Sequence, residues 1–351
     1  VFTVIGSPGD RRVELFQAAL HSLHLPAAEV IPYPTIADLT ALPITPFLRI
    51  ESPGKDPNAQ RYLLGMNVDL PKGQLFNPYR WYCGLDMVMR RIEALRSPIT
   101  RWMNPPEDIL IMFDKWQCRT RLESIGIPQP RSLGPISGYE DLISKMRDAR
   151  INRVFIKLTH GSNASGMIAY RTLGHQHQAI TTIENGFSRL YNSRKLRTLT
   201  THLEIALLID EVCMYPTHAE EWIPKAAINN QVFDLRLVII KGRVCQGVVR
   251  QSHTPITNLH LLNQRGDLDT VKARLRPGQW DAIVETSERV MTAFPNSLYA
   301  GIDLLITSDF RRHYVLEVNA FGDLLPGVLY KGHDTYTEEI LAVLDDAPRH
   351  S

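Results

Sequence analysis

Two apolar stretches toward the end of the chain carry the oxygen-bearing side chains best placed for chemistry, Ala300-Gly301-Ile302-Asp303-Leu304-Leu305 and Tyr314-Val315-Leu316-Glu317-Val318-Asn319. On a strand, alternate side chains share a face, so Glu317 and Asn319 point together, away from a face that carries Leu316 and Val318. With Asp303 from the neighbouring run, the set offers hard oxygen ligands of the kind Mg²⁺ shares with water and with the phosphates of a nucleotide. Handling of a metal-bound nucleotide is the chemistry this pattern predicts.

Other stretches supply groups that such a nucleotide would need. Gly161-Ser162-Asn163-Ala164-Ser165-Gly166 follows the strand pattern Val154-Phe155-Ile156-Lys157-Leu158, and its small residues let backbone amides close over phosphate oxygens. It is not a Walker loop, which requires Lys and Ser or Thr directly after the second Gly, where this chain has Met167 and Ile168. Taken alone, it reads more readily as a hairpin turn. Lys157, set in that apolar strand, must either reach solvent or meet an anion. Glu220-Glu221-Trp222-Ile223-Pro224-Lys225 is either a charged surface linker or a connection between lobes, able to offer backbone groups to an adenine edge and a carboxylate to a ribose. Asp234-Leu235-Arg236 puts a carboxylate and a guanidinium on one strand face, and Arg250 ends the partner strand. These charges either pair across the strands or neutralise a transferred phosphoryl group. Asn258 either orients substrate or closes a turn. No Gly-x-Ser-x-Gly elbow and no Cys beside an evident His partner occurs, which argues against a covalent hydrolase.

The elements that must position these groups are visible as patterns. Val1 to Ile5 reads as a strand, and Val13, Phe16, Leu20 and Leu23 recur at helical spacing after the turn Gly6-Ser7-Pro8-Gly9. Val30-Ile31 and Phe47 to Ile50 add strands, so residues 1–110 read as a small α/β domain. Pro105-Pro106 breaks the chain, and Asp114 caps a helix bearing Cys118, Leu122 and Ile125. Ser137-Gly138-Tyr139-Glu140 has the form of a capping box ahead of Leu142, Ile143 and Met146. Asp234 to Ile240 and Arg243 to Arg250 read as a hairpin turned at Lys241-Gly242. A helix carrying Ile283, Val284, Ser287, Met291 and Phe294 then leads into the Asp303 strand.

At 351 residues and 44% hydrophobic composition, the chain is long enough for two or three domains. Its formal charge of +2 gives no bulk attraction to nucleic acid or to an anionic membrane, and neither is expected as a partner. The apolar run Ile205 to Ile209 is too short to cross a bilayer, and a cytoplasmic protein is expected. Cys83, Cys118, Cys213 and Cys245 are far apart in the chain and read as reduced and mostly structural.

Taken in order, these elements resemble the ATP-grasp superfamily, and within it the glutathione synthetase and ribosomal-protein glutamate ligase branch. The resemblance runs from Asp114 to Gly327, roughly three fifths of the chain. It is carried by Asp114-Lys115 with Gly126-Ile127-Pro128, Phe155 to Leu158 with its loop, Glu221-Trp222-Ile223, Asp234-Leu235-Arg236, Arg250, Thr257-Asn258-Leu259, Gly301 to Leu304 and Glu317-Val318-Asn319. It implies an ATP-grasp α/β fold: two lobes, 111–218 and 219–351, close on ATP and are preceded by a Rossmann-like pre-ATP-grasp domain.

The roles it implies are specific. Lys115 and Lys157 contact phosphates or adenine, and Gly161, Ser162, Ser165 and Gly166 form the phosphate loop. Glu221 holds the ribose, Trp222 and Ile223 the adenine, with Glu220 and Asp234 also on the nucleotide side. Asp303, Glu317 and Asn319 hold Mg²⁺, Arg250 supported by Arg236 stabilises an acyl phosphate, and Asn258 lies toward the substrate. The activity implied is ATP-dependent joining of a small-molecule or peptide carboxylate to an amine or thiol. An ATP-grasp kinase and a non-catalytic ATP-binding protein are the alternatives, and a homo-oligomer is allowed. The chain departs from the glutamate ligases at Ala164 where they carry Gly, at Ile256 where they place Arg, and at Ala320-Phe321-Gly322-Asp323 where they have Ser-Pro-Gly. In the first domain, Arg49, Arg61 and Arg80 are candidates to receive an anionic substrate group.

Overall fold

The computed structural model describes residues 1–54, 56–67, 69–162, 164–186, 189–261, 263–321 and 325–345. Asn163 of the small-residue loop, and Gly322 and Asp323 after the Asn319 strand, lie outside the described residues. The chain lays down three sheets in sequence order.

The first sheet is parallel, with strands β1 (Phe2–Ile5), β2 (Glu29–Ile31), β3 (Phe47–Ile50) and β4 (Arg101–Trp102) in the order β2-β1-β3-β4. β1 and β3 are buried along their whole length, as strands covered on both faces must be. Helix α1 (Arg11–Ser22) starts where Asp10 accepts the Arg12 amide at 2.9 Å, and its Val13, Phe16 and Leu20 are buried. Helices α2 (Pro57–Leu64) and α3 (Pro78–Leu95) cross at Gly84, where any Cβ would lie 1.9 Å from the Leu63 carbonyl oxygen. Only glycine permits that approach. Helix α4 (Pro106–Phe113) begins at the Pro105-Pro106 break.

Helix α5 (Lys115–Ser124) is capped by Asp114, which accepts the amides of Trp116 and Gln117 at 3.0 and 2.9 Å, and its Cys118 and Leu122 enter the core shared by the first and third sheets. Strands β5 (Ser132–Pro135), β6 (Arg153–Leu158), β7 (Ile168–Leu173), β8 (Gln176–Gly186), β9 (Arg189–Leu199) and β10 (Thr217–Glu221) form an antiparallel sheet in the order β5-β10-β6-β7-β8-β9. Helices α6 (Tyr139–Ala149) and α7 (His202–Val212) bury Leu142, Met146, Ile205 and Ile209 in one cluster with Ile156 and Ile168 of the sheet. The Ser-x-x-Glu pattern does not act as a capping box. Gly138 is the N-cap of α6, and Asp141, not Glu140, reaches back to the Ser137 amide at 2.9 Å. A short segment of the first region joins this sheet: Asn192 donates to the Gly73 carbonyl at 2.7 Å, Leu75 to that of Leu190 at 2.8 Å, and the Leu75 side chain enters the same apolar cluster.

The third sheet contains β11 (Ala227–Ile228), β12 (Gln231–Ile240), β13 (Arg243–Ser252), β14 (Gln264–Gly266), β15 (Tyr299–Ile306) and β16 (His313–Asn319). Its order is β14-β13-β12-β15-β16, with β11 pairing β12, and every pairing is antiparallel. The β12–β13 turn puts Lys241 at φ 51° and Gly242 at φ 72°, the left-handed pair a two-residue hairpin uses. Leu235, Leu237, Ile302 and Leu304 enter a core that includes Ile283 and Val290 of α9 (Gln279–Val290), which follows the short α8 (Leu268–Lys272). The opposite face of β12 changes character along its length. Asp234 and Arg236 come first, and then Val238 and Ile240 pack with Phe2, Val4 and Phe47 of the first sheet.

Helix α10 (Thr335–Leu344) returns to the first sheet and settles the position of Arg49. Arg49 is 0% exposed, with Nη2 2.6 Å from Glu51 and Nη1 2.5 Å from Glu339. The rings of Phe16, Tyr299 and Tyr336 surround it at 4.7, 4.9 and 5.1 Å. This enclosure, which ties β3 to α10, overturns the expectation of a substrate-facing arginine. Burial pushes the Glu339 carboxyl up to about 7, and Arg49 offsets only part of that rise. A carboxyl raised in the folded state stabilises the fold while it keeps its proton, so stability is lost as pH rises from about 4.5 through about 7. Denaturation at pH 5 and pH 8 should show the wild type losing about 2 kcal/mol more than E339Q. Parallel profiles would remove Glu339 as the source.

Candidate active site

Strand register assembles one polar wall. Asp303 pairs with Glu317 and Gly301 with Asn319 across β15 and β16, Arg236 lies opposite Asp303, and Asp234 lies opposite Arg250. Asp234, Arg236, Arg250, Asp303 and Glu317 therefore share a face. Arg236 grips Asp303 through Nε, and through Nη2 at 2.9 Å; Arg250 Nη2 reaches the same carboxylate at 2.9 Å. Arg250 Nε donates to Asp234 Oδ1 at 2.7 Å, while Lys225 Nζ donates to Asp234 Oδ2 at 3.2 Å and to Thr257 Oγ1 at 2.6 Å. Five buried or nearly buried charges thus alternate in sign from Lys225 to Arg236.

For Asp303 and Arg250 this alternation outweighs burial. Burial alone would raise the Asp303 carboxyl, but Arg236 and Arg250 outweigh it and hold it down at about 2. Burial would lower Arg250, and the carboxylates of Asp234 and Asp303 reverse that, raising it. Lys225 is lowered by burial, which Asp234 offsets in part.

The second sheet supplies the facing wall. Lys157 on β6 pairs with Glu220 on β10, whose other oxygen lies 3.6 Å from Arg119. Behind them His218 is driven down to about 3 by burial and then by Lys157 and Lys115, so it stays neutral. Lys115, the first residue of α5, spans both walls: its Nζ donates to the Gly161 carbonyl at 2.6 Å and to Glu317 at 2.5 Å. The Lys115 amide donates to Thr159 at 3.1 Å, and Asp114 pairs with His160 at 3.0 Å, so two residues of the helix start are stitched to three of the loop. In that loop Gly166 has φ 68° and no room for a Cβ beside Leu158. Ala164 holds φ 57°, a left-handed conformation that costs alanine about 1 kcal/mol relative to glycine.

Between the walls lies an open cleft whose non-atom space, open solvent included, is about 770 Å³. Lys115, Lys157, Gly161, Ser165, Glu220, Glu221, Asp234, Arg250, Asn258, Asp303 and Glu317 line it. Ser162, Gly166 and Arg236 do not line it: the Ser162 carbonyl accepts the Ser165 amide at 2.8 Å within the loop, and Arg236 is bound to Asp303. Asn319 lies two residue pairs along the ladder and does not line the cleft; its side-chain amide donates to the Gly301 carbonyl at 3.2 Å. Trp222 and Ile223 do not line the cleft: the Trp222 amide donates to Arg153 at 3.1 Å and its ring packs on Phe155 at 5.6 Å. Asn258 makes a turn, accepting the His260 amide at 2.9 Å, while still facing the cleft. Arg61 binds Asp69 and Asn58, each at 2.5 Å, and exposed Arg80 reaches the Gly65 carbonyl at 3.5 Å; neither reaches the cleft.

One expectation about strand faces is reversed. Asp303 pairs with Glu317 but Leu304 with Val315, so Leu316 is the extra residue of a β-bulge. The bulge turns Leu316 into the cleft beside Glu317, while Val318 stays in the core. With Phe155, Met167 and Leu305 it forms an apolar slot. Sequence patterning missed this slot, along with Lys225 and Thr257; the Thr257-Asn258 pair was the available signal for the latter.

Among the described residues no group of three or more His, Cys, Asp or Glu side chains is assembled for a metal. Asp303 and Glu317 side by side nevertheless fit Mg²⁺, which needs only one or two carboxylates when phosphates and water complete its shell.

No family model and no curated protein matches the sequence. Solved structures match over nearly the whole chain. D-cycloserine synthetase DcsG aligns with TM-score 0.59 at 12% identity, covering 99% of each chain. The macrocyclase MdnC bound with precursor peptide MdnA, from Microcystis aeruginosa MRC, aligns with TM-score 0.58 at 14% identity, covering 99% of this chain and 100% of that one. The ATP-grasp ligase PsnB complexed with minimal precursor aligns with TM-score 0.55 at 16% identity, covering 99% of each; it is also known with minimal precursor, Mg and ADP. The fold is the ATP-grasp fold.

Replacing Asp303 by Asn leaves two buried guanidiniums facing a neutral amide, which costs about 3 kcal/mol. Denaturation of D303N should show that loss. An unchanged midpoint would mean the buried pairs do not form.

Proposed function

We propose that this chain is an ATP-dependent ligase that activates a carboxylate as an acyl phosphate and passes the acyl group to an amine or thiol, releasing ADP and phosphate. The observation that carries the reading is the pairing of two charged walls across one cleft: Asp234, Arg250, Asp303 and Glu317 face Lys115, Lys157 and the small-residue loop. In-line phosphoryl transfer asks for this combination, because it needs positioning and charge neutralisation more than a protein nucleophile. That the three structural neighbours are named as ligase, synthetase and macrocyclase supports the same class.

In this reading the apolar slot of Phe155, Met167, Leu305 and Leu316 takes the base, Glu221 the ribose, and Lys115, Lys157 and the loop amides the phosphates. Asp303, Glu317 and Asn319 would hold Mg²⁺, which when bound neutralises phosphate oxygens. Arg250 faces the transferred group, where a fixed guanidinium fork matches phosphoryl oxygens. Asn258 marks the acceptor side. The resemblance of its motifs supports the glutathione synthetase and glutamate ligase type within that class. Because PsnB and MdnC are seen with precursor peptides, peptide carboxylates belong beside small acids as candidate substrates. Among the described residues no helix is long and apolar enough to cross a membrane. The four cysteines are free, in keeping with a reducing compartment.

The test is ADP release by purified protein with Mg²⁺, ATP and a panel of acids, amines and peptides, run with and without hydroxylamine. A ligase should release ADP and form a hydroxamate, and R250M should lose on the order of 100-fold in turnover while still binding ATP. ADP without hydroxamate, together with a phosphorylated hydroxyl, would make it a kinase. Tight ATP binding with no ADP from any pair would remove catalysis.

A further inference from the structure

Among the described residues, Lys225 is the one cleft-lining cation that neither the sequence patterns nor the proposed roles account for. Its side chain is only 7% exposed, although lysine is rarely buried without a partner. Its backbone is fixed: Lys225 bridges to Thr307, and the next amide, Ala226, donates to the Ile306 carbonyl at 2.8 Å. The ammonium is therefore carried by a braced segment at the end of β15, where it donates to Thr257 Oγ1 at 2.6 Å and to one oxygen of Asp234 at 3.2 Å.

The division of Asp234 between its partners is the informative feature. Among the described residues Oδ1 accepts Arg250 Nε, at 2.7 Å, while Oδ2 is taken by Lys225 at 3.2 Å and by the Thr257 hydroxyl. A free carboxylate beside a guanidinium prefers to take two parallel N–H bonds. With Oδ2 occupied, Asp234 can hold Arg250 by one edge only. Asp303 holds a second edge through Nη2 at 2.9 Å, and the remaining donors of the fork are left for the cleft.

We propose that Lys225 is a positioning residue that, by occupying Asp234 Oδ2, stops Asp234 from gripping Arg250 with both oxygens and so aims the guanidinium at the transferred phosphoryl group. The proposal rests on the ligase reading above. It concerns the transferring phosphoryl group and not the resting nucleotide, so the two can be separated by binding alone, without knowledge of the acceptor.

The experiment is calorimetry of the full chain with Mg²⁺ and ADP, with and without aluminium fluoride, which mimics a phosphoryl group in flight. In the wild type, aluminium fluoride should tighten ADP binding. K225M should bind MgADP within about threefold of wild type but lose about tenfold or more of that tightening, because a misaimed donor fails only the transition-state mimic. K225R should restore most of the tightening, and T257V, which frees the same oxygen in part, should lose a smaller share. If K225M does not fold, K225R and T257V carry the comparison. Equal weakening of both complexes would make Lys225 a nucleotide contact, and no change in either would make it a structural filler; each overturns the proposal while sparing the ligase reading. A wild type that fails to bind MgADP would bring down the nucleotide reading of the cleft and the proposal with it.

Discussion

A carboxylate sunk between two guanidiniums is the constraint on which the site depends. Asp303 has left water, and only Arg236 and Arg250 make its charge tolerable there. Those arginines sit on β12 and β13, so the three central strands must be in register before the charges can meet. The same register delivers Glu317 beside Asp303 and Asp234 beside Arg250. The polar wall is thus a property of the whole antiparallel sheet, and a slip of one residue would send every one of these side chains into the apolar core on the other face.

What was legible in the sequence follows the same logic. Strand alternation is stiff, so Asp303 and Glu317 could be brought together on paper from two apolar runs, and the cap at Asp114 gave the start of the Lys115 helix. Alternation says nothing about where it breaks. The extra residue at Leu316 turns one side chain to the other face, and no local pattern in the sequence announces it. Arg49 was unreadable for a different reason. In sequence it is an arginine in an apolar strand, and its second carboxylate partner lies 290 residues away on α10. Lys225 sits among charged residues that look solvated, and its burial is created by strands that arrive later in the chain. The Ser137 capping pattern failed because a neighbouring carboxylate, Asp141, reached the same amide.

The face of the third sheet is divided between two tasks. Its polar end faces the cleft, and its apolar end, Val238 and Ile240, receives the first sheet. The N-terminal layer is therefore anchored beside the charged wall through a continuous core, with the enclosed Arg49, Glu51 and Glu339 cluster fastening α10 across it. Burial of so polar a cluster is costly, yet it fixes which helix face meets which strand.

The pairing of Gly73–Leu75 with β9 bears on how the molecule can breathe. Two backbone hydrogen bonds and an inserted leucine splice a piece of the N-terminal layer onto the outer edge of the second sheet. That sheet cannot swing as a free jaw. Any gaping of the cleft must either unzip this graft or drag the α2–α3 connector along, so passage of a large occupant is coupled to the N-terminal layer.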